Sequence, residues 1–194
     1  LRSAVIDGSA GYAYFGVYTT SSPGKVVKVA LGSGANPPTR VNAVTLNSQE
    51  NPLTCASIDS ASGYAYFGTQ SSPGKVLKIK LGADINAPER EAMTPLNAGL
   101  GAVYCSVIDS ASGYAYFGSH TSPATVYKVA IGTMGEPPSV LNKVVLNAGE
   151  NDLRTAVIDA HAGYAYFGTN TSPGVVVKVA LGEGAAAPTR VGAV

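Results

Sequence analysis

Charge is scarce in this chain. Of its 194 residues 13% are charged and 45% are hydrophobic. That is too apolar for a disordered chain and too lightly charged for a coiled coil. Acids and bases are interspersed and the net charge is +1, so there is no basic stripe to hold nucleic acid. Long apolar runs are missing too, since none approaches the roughly 18 residues of a membrane span. Leu1 and Arg2 begin inside a repeat, so no leader sequence is visible. Two cysteines cannot establish a disulfide framework. No amphipathic 3.6-residue pattern persists for three turns, which excludes a helical fold. No G-x-S-x-G elbow appears, and no nucleophile, base and orienting group stand together.

What is present is repetition. The hexapeptide GYAYFG begins at Gly11, Gly63, Gly113 and Gly163, at offsets of 52, 50 and 50 residues. A fixed period of this size marks a repeat architecture. It divides the chain into units 1–52, 53–102, 103–152 and 153–194. The first carries two extra residues in the loop Val17–Pro23, and the fourth stops at Val194, within its last apolar run. That ending suggests a piece of a longer chain. A residue present once per unit belongs to the building block. A residue that breaks the repeat is where a specific site is to be sought.

Each unit reads as four short strands. In the first unit these are Ala4–Ile6, Tyr12–Phe15, Lys25–Leu31 and Arg40–Leu46, separated by Gly, Asn, Ser and Pro. Strand side chains alternate between faces. Tyr12 and Tyr14 therefore share one face, and Ala13 and Phe15 share the other. Both faces are apolar. In the third strand Val27, Val29 and Leu31 oppose Val26, Lys28 and Ala30. A small sheet with two apolar faces needs a neighbour on each side, which is the logic of stacked β-propeller blades. Tyr12, Phe15, Tyr64, Phe67, Tyr114, Phe117, Tyr164 and Phe167 are the expected repeat core. Each buried aromatic contributes roughly 1.5–3 kcal/mol.

The order Ala4–Asp7, Gly11–Gly16, Ser22–Val29 and Arg40–Asn47 resembles the YVTN-type β-propeller repeat, over essentially the whole chain. The resemblance implies an all-β fold of tandem four-stranded antiparallel blades and an extracellular or cell-surface location. It says almost nothing of activity. Four units leave three outcomes open: a small closed ring, part of a larger ring, or an open array. An open array exposes apolar faces at its ends, which would recruit other copies or further repeats.

Several residues qualify as candidate sites. Asp7, Asp59, Asp109 and Asp159 end the first strand of every unit. One carboxylate per loop is too few for calcium, so these are expected to bond turn amides, and no metal or other cofactor is expected. Lys28, Lys78, Lys128 and Lys178 are expected to pack their stems on neighbours, with the ammonium groups reaching solvent or the Asp of the same unit. Tyr18 falls in the two-residue insertion and His120 breaks the repeat in a loop; both are candidate binding-loop residues, as is the divergent segment 91–101. His161 replaces a turn serine and has no evident partner. Cys55 and Cys105 occupy equivalent positions and are a disulfide candidate, with two buried thiols as the alternative. Asn170-Thr171-Ser172 is an N-glycosylation sequon. The Ser/Thr-Ser-Pro loops, from Ser21-Ser22-Pro23 to Thr171-Ser172-Pro173, are compatible with O-glycosylation or with simple turn formation.

No catalytic constellation is visible. The sequence therefore predicts a non-enzymatic extracellular structural glycoprotein, a building block of a surface filament or appendage. The alternative is a propeller module that recognises glycan or protein through loops on one face.

Overall fold

A computed structural model of the chain describes residues 1–20, 23–96 and 101–194. Ser21, Ser22 and positions 97–100 of the divergent segment lie outside the described residues. The described chain holds sixteen strands and no helix. They form four antiparallel sheets of four consecutive strands each. The first sheet is β1 (Ser3–Asp7), β2 (Tyr12–Gly16), β3 (Lys25–Ala30) and β4 (Thr39–Thr45). The others are β5–β8 (Leu53–Asp59, Tyr64–Thr69, Lys75–Lys80, Glu89–Pro95), β9–β12 (Val103–Asp109, Tyr114–Ser119, Thr125–Ala130, Ser139–Val145) and β13–β16 (Leu153–Asp159, Tyr164–Thr169, Val176–Ala180, Thr189–Ala193). We call these sheets blades 1 to 4. The first strands β1, β5, β9 and β13 lie side by side in series, so they are the inner strands of the stack.

Both ends of GYAYFG have a backbone reason. The first glycine of each copy has positive φ (78° at Gly11, 76° at Gly63), a left-handed conformation that costs other residues energy. The last glycine meets the inner strand of the following blade. A Cβ on Gly68 would lie 2.7 Å from Val103 Cγ2 and one on Gly118 3.0 Å from Leu153 Cβ. The four aspartates behave as turn residues: Asp7, Asp59, Asp109 and Asp159 each accept a hydrogen bond from the backbone N–H three residues on, at 3.0–3.3 Å.

The two faces of a blade have different roles. The Tyr face meets the next blade and the Phe face meets the previous one. Phe67, Leu77 and Ile79 of blade 2 pack with Tyr14, Val26 and Leu46 of blade 1. Phe117 and Val129 of blade 3 pack with Tyr66 and Val76 of blade 2, and Phe167 and Val179 of blade 4 with Tyr116 and Val126 of blade 3. Phe67, Phe117 and Phe167 are fully buried. Phe15, with no blade before it, is half-buried.

The repeated lysines do something the sequence did not suggest. Lys28, Lys78 and Lys128 are fully buried. Their ammonium groups reach neither solvent nor an aspartate of the same unit; they cross to the next blade. Lys28 Nζ donates to the carbonyls of Gly82 (2.7 Å) and Asn86 (3.3 Å). Lys78 Nζ donates to Thr133 and Glu136 and lies 3.3 Å from Glu91 of its own blade. Lys128 Nζ donates to Gly182 (2.6 Å) and Ala186 (3.2 Å). Beside each lysine a tyrosine hydroxyl makes the same crossing: Tyr14 to Leu81 (3.1 Å), Tyr66 to Ile131 (3.3 Å) and Tyr116 to Leu181 (3.1 Å). Buried carbonyls need donors, and these two side chains supply them at every junction.

Burial pushes the Tyr14 hydroxyl up to about 12, with the charges of Asp7 and Tyr12 adding to it. It pushes Tyr127 up to about 12, and Tyr66 and Tyr116 up as well, aided by Asp59 and Asp109 respectively. An unfolded tyrosine ionises near pH 10. Between that pH and the higher folded value the unfolded chain loses protons that the folded chain keeps, so stability falls as pH rises. Lys28 and Lys128, lowered by burial, act with the opposite sign, but only below the ordinary lysine range near 10.5. We expect cooperative loss of sheet circular dichroism above that pH and complete by about 12. Sheet signal that persists after all eleven tyrosines have ionised, followed by tyrosinate absorbance, contradicts this.

Candidate functional site at the head of the inner strands

Where the inner strands begin, the repeat breaks down. Positions 2, 54, 104 and 154 are equivalent, yet they hold Arg, Thr, Tyr and Arg. The loop between second and third strands contributes Gln70, His120 and Asn170 at one equivalent position, and the entry to the inner strand contributes Pro52, Ala102 and Asp152 at another. Backbone bonds place the last two sets side by side in blades 2, 3 and 4. The N–H groups of Gln70, His120 and Asn170 donate to the carbonyls of Pro52, Ala102 and Asp152 at 2.8–2.9 Å. A constant scaffold thus presents changing side chains, and the variable residues of blades 1, 3 and 4 converge.

Asp152 is the hub, and its backbone is left-handed (φ 51°), a conformation Asp tolerates better than most residues. Its Oδ1 touches His120 Nδ1 and lies 2.8 Å from Arg154 Nε. Its Oδ2 accepts hydrogen bonds from Arg154 Nη2 and Asn170 Nδ2, both at 2.8 Å. Burial raises the carboxyl, but Arg154, Asn170 and His120 together outweigh it and hold Asp152 below the ordinary carboxylate range. Tyr104 forms an aromatic floor. The Arg154 guanidinium sits 4.2 Å from its ring centre and Arg2, reaching over from blade 1, 5.1 Å. His120 meets the same ring edge-on at 5.1 Å. Arg2 also lies 4.9 Å over Tyr18, whose hydroxyl donates to Gln70 (2.7 Å). The cluster holds two guanidiniums and one carboxylate, and only Arg154 is paired with that carboxylate, so it favours an anionic ligand. His120 is 46% exposed, so a ligand can reach its ring while Asp152 holds Nδ1.

Tyr18 and His120, the expected binding-loop residues, are thus brought into one cluster. His161 is exposed in a turn between β13 and β14, at the other end of the inner strand. Asn170 is exposed, but its Nδ2, the atom a glycan would occupy, is bonded to Asp152. Cys55 and Cys105 are buried free thiols, the alternative to a bridge; burial, the largest influence on each, pushes Cys55 up to about 12 and Cys105 higher. Among the described residues no group of His, Cys, Asp or Glu could hold a metal ion. Arg2, Tyr104, Asp152 and Arg154 were not singled out as a site from the sequence. The signal existed in the columns of the repeat, where these positions differ from their equivalents.

At the opposite end of the inner strands lie interblade clefts. One of about 480 Å³ is lined by Asp59, Tyr64, Ser110, Thr133 and Glu136. Another of about 470 Å³ holds the equivalent Asp109, Tyr114 and Gly182. They recur with the repeat, so they belong to the building unit.

No protein-family model and no curated protein matches the sequence. Solved structures do. A Bacteroides uniformis protein assigned as a 6-phosphogluconolactonase matches with TM-score 0.76 and 12% identity over 99% of this chain. The periplasmic gluconolactonase of Pseudomonas aeruginosa matches with TM-score 0.72 and 13% identity, also over 99%. The WD40 β-propeller domain of Doa1 matches with TM-score 0.59 and 14% identity over 98%. The chain spans 56%, 56% and 53% of these structures, respectively. At such identities the likeness establishes the fold alone, stacked propeller blades. It overturns one expectation nonetheless. A non-enzymatic surface-filament block is not what this scaffold resembles; enzymes are prominent among its matches, and nothing found supports a filament. No helix of the described residues is long and apolar enough to cross a membrane.

Proposed function

We propose that this chain forms part of a propeller hydrolase that opens an anionic sugar lactone. The observation that carries the reading is the convergence of Arg2, Tyr104, His120, Asp152 and Arg154, all outside the repeat consensus, at the head of the inner strands. The names of the gluconolactonase matches supply the substrate class. Repeats of YVTN type and a location outside the cytoplasm fit the same reading, the latter in line with the periplasmic Pseudomonas protein.

The chemistry follows from the side chains. Asp152 engages Nδ1 of His120, which leaves Nε2 as the basic atom. Nε2 takes a proton from water as the water oxygen attacks the lactone carbonyl. Arg2 holds the substrate's negative group, and Arg154 offsets charge developing on the carbonyl oxygen. The ring C–O bond breaks, the imidazolium returns its proton to the departing alkoxide, and a hydroxy acid leaves. The test is acid release from 6-phosphogluconolactone and from gluconolactone, measured against spontaneous opening. Faster release from the phosphorylated substrate is the expected result. No acceleration over the spontaneous rate with either lactone overturns the proposal.

A further inference from the structure

Each junction in the stack joins the same two faces. The leading face offers two donors, a Tyr hydroxyl and a Lys ammonium, in an apolar surround. The receiving face offers Phe, two aliphatic side chains of the third strand, and a loop of carbonyl acceptors. This pairing occurs three times. Blade 4 presents the leading face once more, and blade 1 the receiving face, with no blade against either.

On blade 4, Val157 is 66% and Val176 47% exposed. Tyr166 and Lys178 are half-buried, whereas their equivalents Tyr116 and Lys128 are fully buried. Lys178 Nζ rests 3.8 Å over the Tyr164 ring. Neither Lys178 Nζ nor the Tyr166 hydroxyl reaches a hydrogen-bond acceptor among the described residues. On blade 1, Ile6 is 59% exposed, and Phe15, Val27 and Val29 are half-buried where Phe67, Leu77 and Ile79 are fully covered. The acceptor loop of blade 1 is already shaped. Gly32 has φ 78°, as Gly82 (71°) and Gly182 (72°) do in the loops that accept Lys28 and Lys128.

We propose that the open face of blade 4 docks the open face of blade 1 of a second copy of this chain. In that junction Lys178 and Tyr166 donate to the carbonyls of Leu31, Gly32 and Asn36, positions equivalent to Leu81, Gly82 and Asn86. A second copy is the fitting occupant because one chain carries both halves of an interface it already makes three times, with matching apolar area and matching donors and acceptors. A heterologous contact closes when the rotations complete a turn. Two copies bring eight blades, within the roughly four to eight that propellers close with, and three copies exceed that range. This inference does not depend on the hydrolase reading.

The experiment is sedimentation equilibrium of the 194-residue chain over a concentration series, with circular dichroism to confirm folding. The expected species has twice the 19.6 kDa monomer mass. Lys178→Glu blocks the leading face and Ile6→Glu the receiving face, so each variant alone sediments as a folded monomer. Mixed together they retain one compatible junction and recover a species of twice the monomer mass, with weaker association than the native chain. A native chain that stays monomeric throughout overturns the proposal and leaves further blades as the only fitting cover. Dimers that persist in both variants overturn it in favour of another surface. A series of masses beyond two copies overturns closure by two.

Discussion

Phe67→Ala and Phe117→Ala will each destabilise the folded chain by about 3–5 kcal/mol, while Phe15→Ala at the same repeat position costs about 1–2 kcal/mol. All three phenylalanines follow Gly-Tyr-Ala-Tyr and occupy equivalent strand positions. They differ in what lies on the far side. Phe67 and Phe117 are sealed by the Tyr face of the preceding blade, with no exposure. Truncation there leaves a cavity between two sheets that cannot close it without losing the neighbouring bonds from Tyr and Lys to carbonyls of the next blade. Phe15 has solvent on one side, so water fills the space and only the covered part of its area is lost. A loss of about 3–5 kcal/mol is a large share of the 5–15 kcal/mol that holds a typical domain together. Urea unfolding of the three variants, at concentrations below self-association, checks this. Equal costs at Phe15 and Phe117 would mean that stacking is not the main source of stability.

His120→Ala will lower lactone turnover by about 10²–10⁴-fold, the usual contribution of a positioned general base. Asp152→Asn will lower it too. It removes the charge that supports a protonated imidazole in the transition state, yet it keeps a group able to bond Arg154 and Asn170. Arg2→Met acts differently, since Arg2 holds ligand charge and has no carboxylate partner of its own. Its expected signature is a raised KM with kcat little changed. His161→Ala, in an exposed turn away from the cluster, leaves both constants as they are. Steady-state kinetics with the phosphorylated lactone separates these outcomes. Unaltered kcat in His120→Ala removes His120 from the reaction, even if the chain proves to be a lactonase.

The candidate cluster was not legible in the sequence for an identifiable reason. The repeated aspartates and lysines read there as structural residues, and in the fold they are, although the lysine ammonium groups go elsewhere than expected. Asp7 and its equivalents hold turns, and Lys28, Lys78 and Lys128 bind carbonyls across the stack. The cluster that distinguishes this chain is built from single residues far apart in sequence. Arg2 and Tyr104 are 102 positions apart, yet their side chains meet. Their spacing carries no catalytic signature, because the arrangement exists only once the inner strands lie side by side.

The sequence alone determined the all-β class, the four units, the strands within them and the two apolar faces of each. Those features are local: they depend on alternation over four to seven residues and on turn formers whose preferences act within a few residues. The tertiary structure decided which face meets which neighbour, where the buried ammonium groups go, and that Arg2, Tyr104, His120, Asp152 and Arg154 share one site. Those outcomes depend on the stagger and spacing of whole sheets, which residues distant in the chain set together.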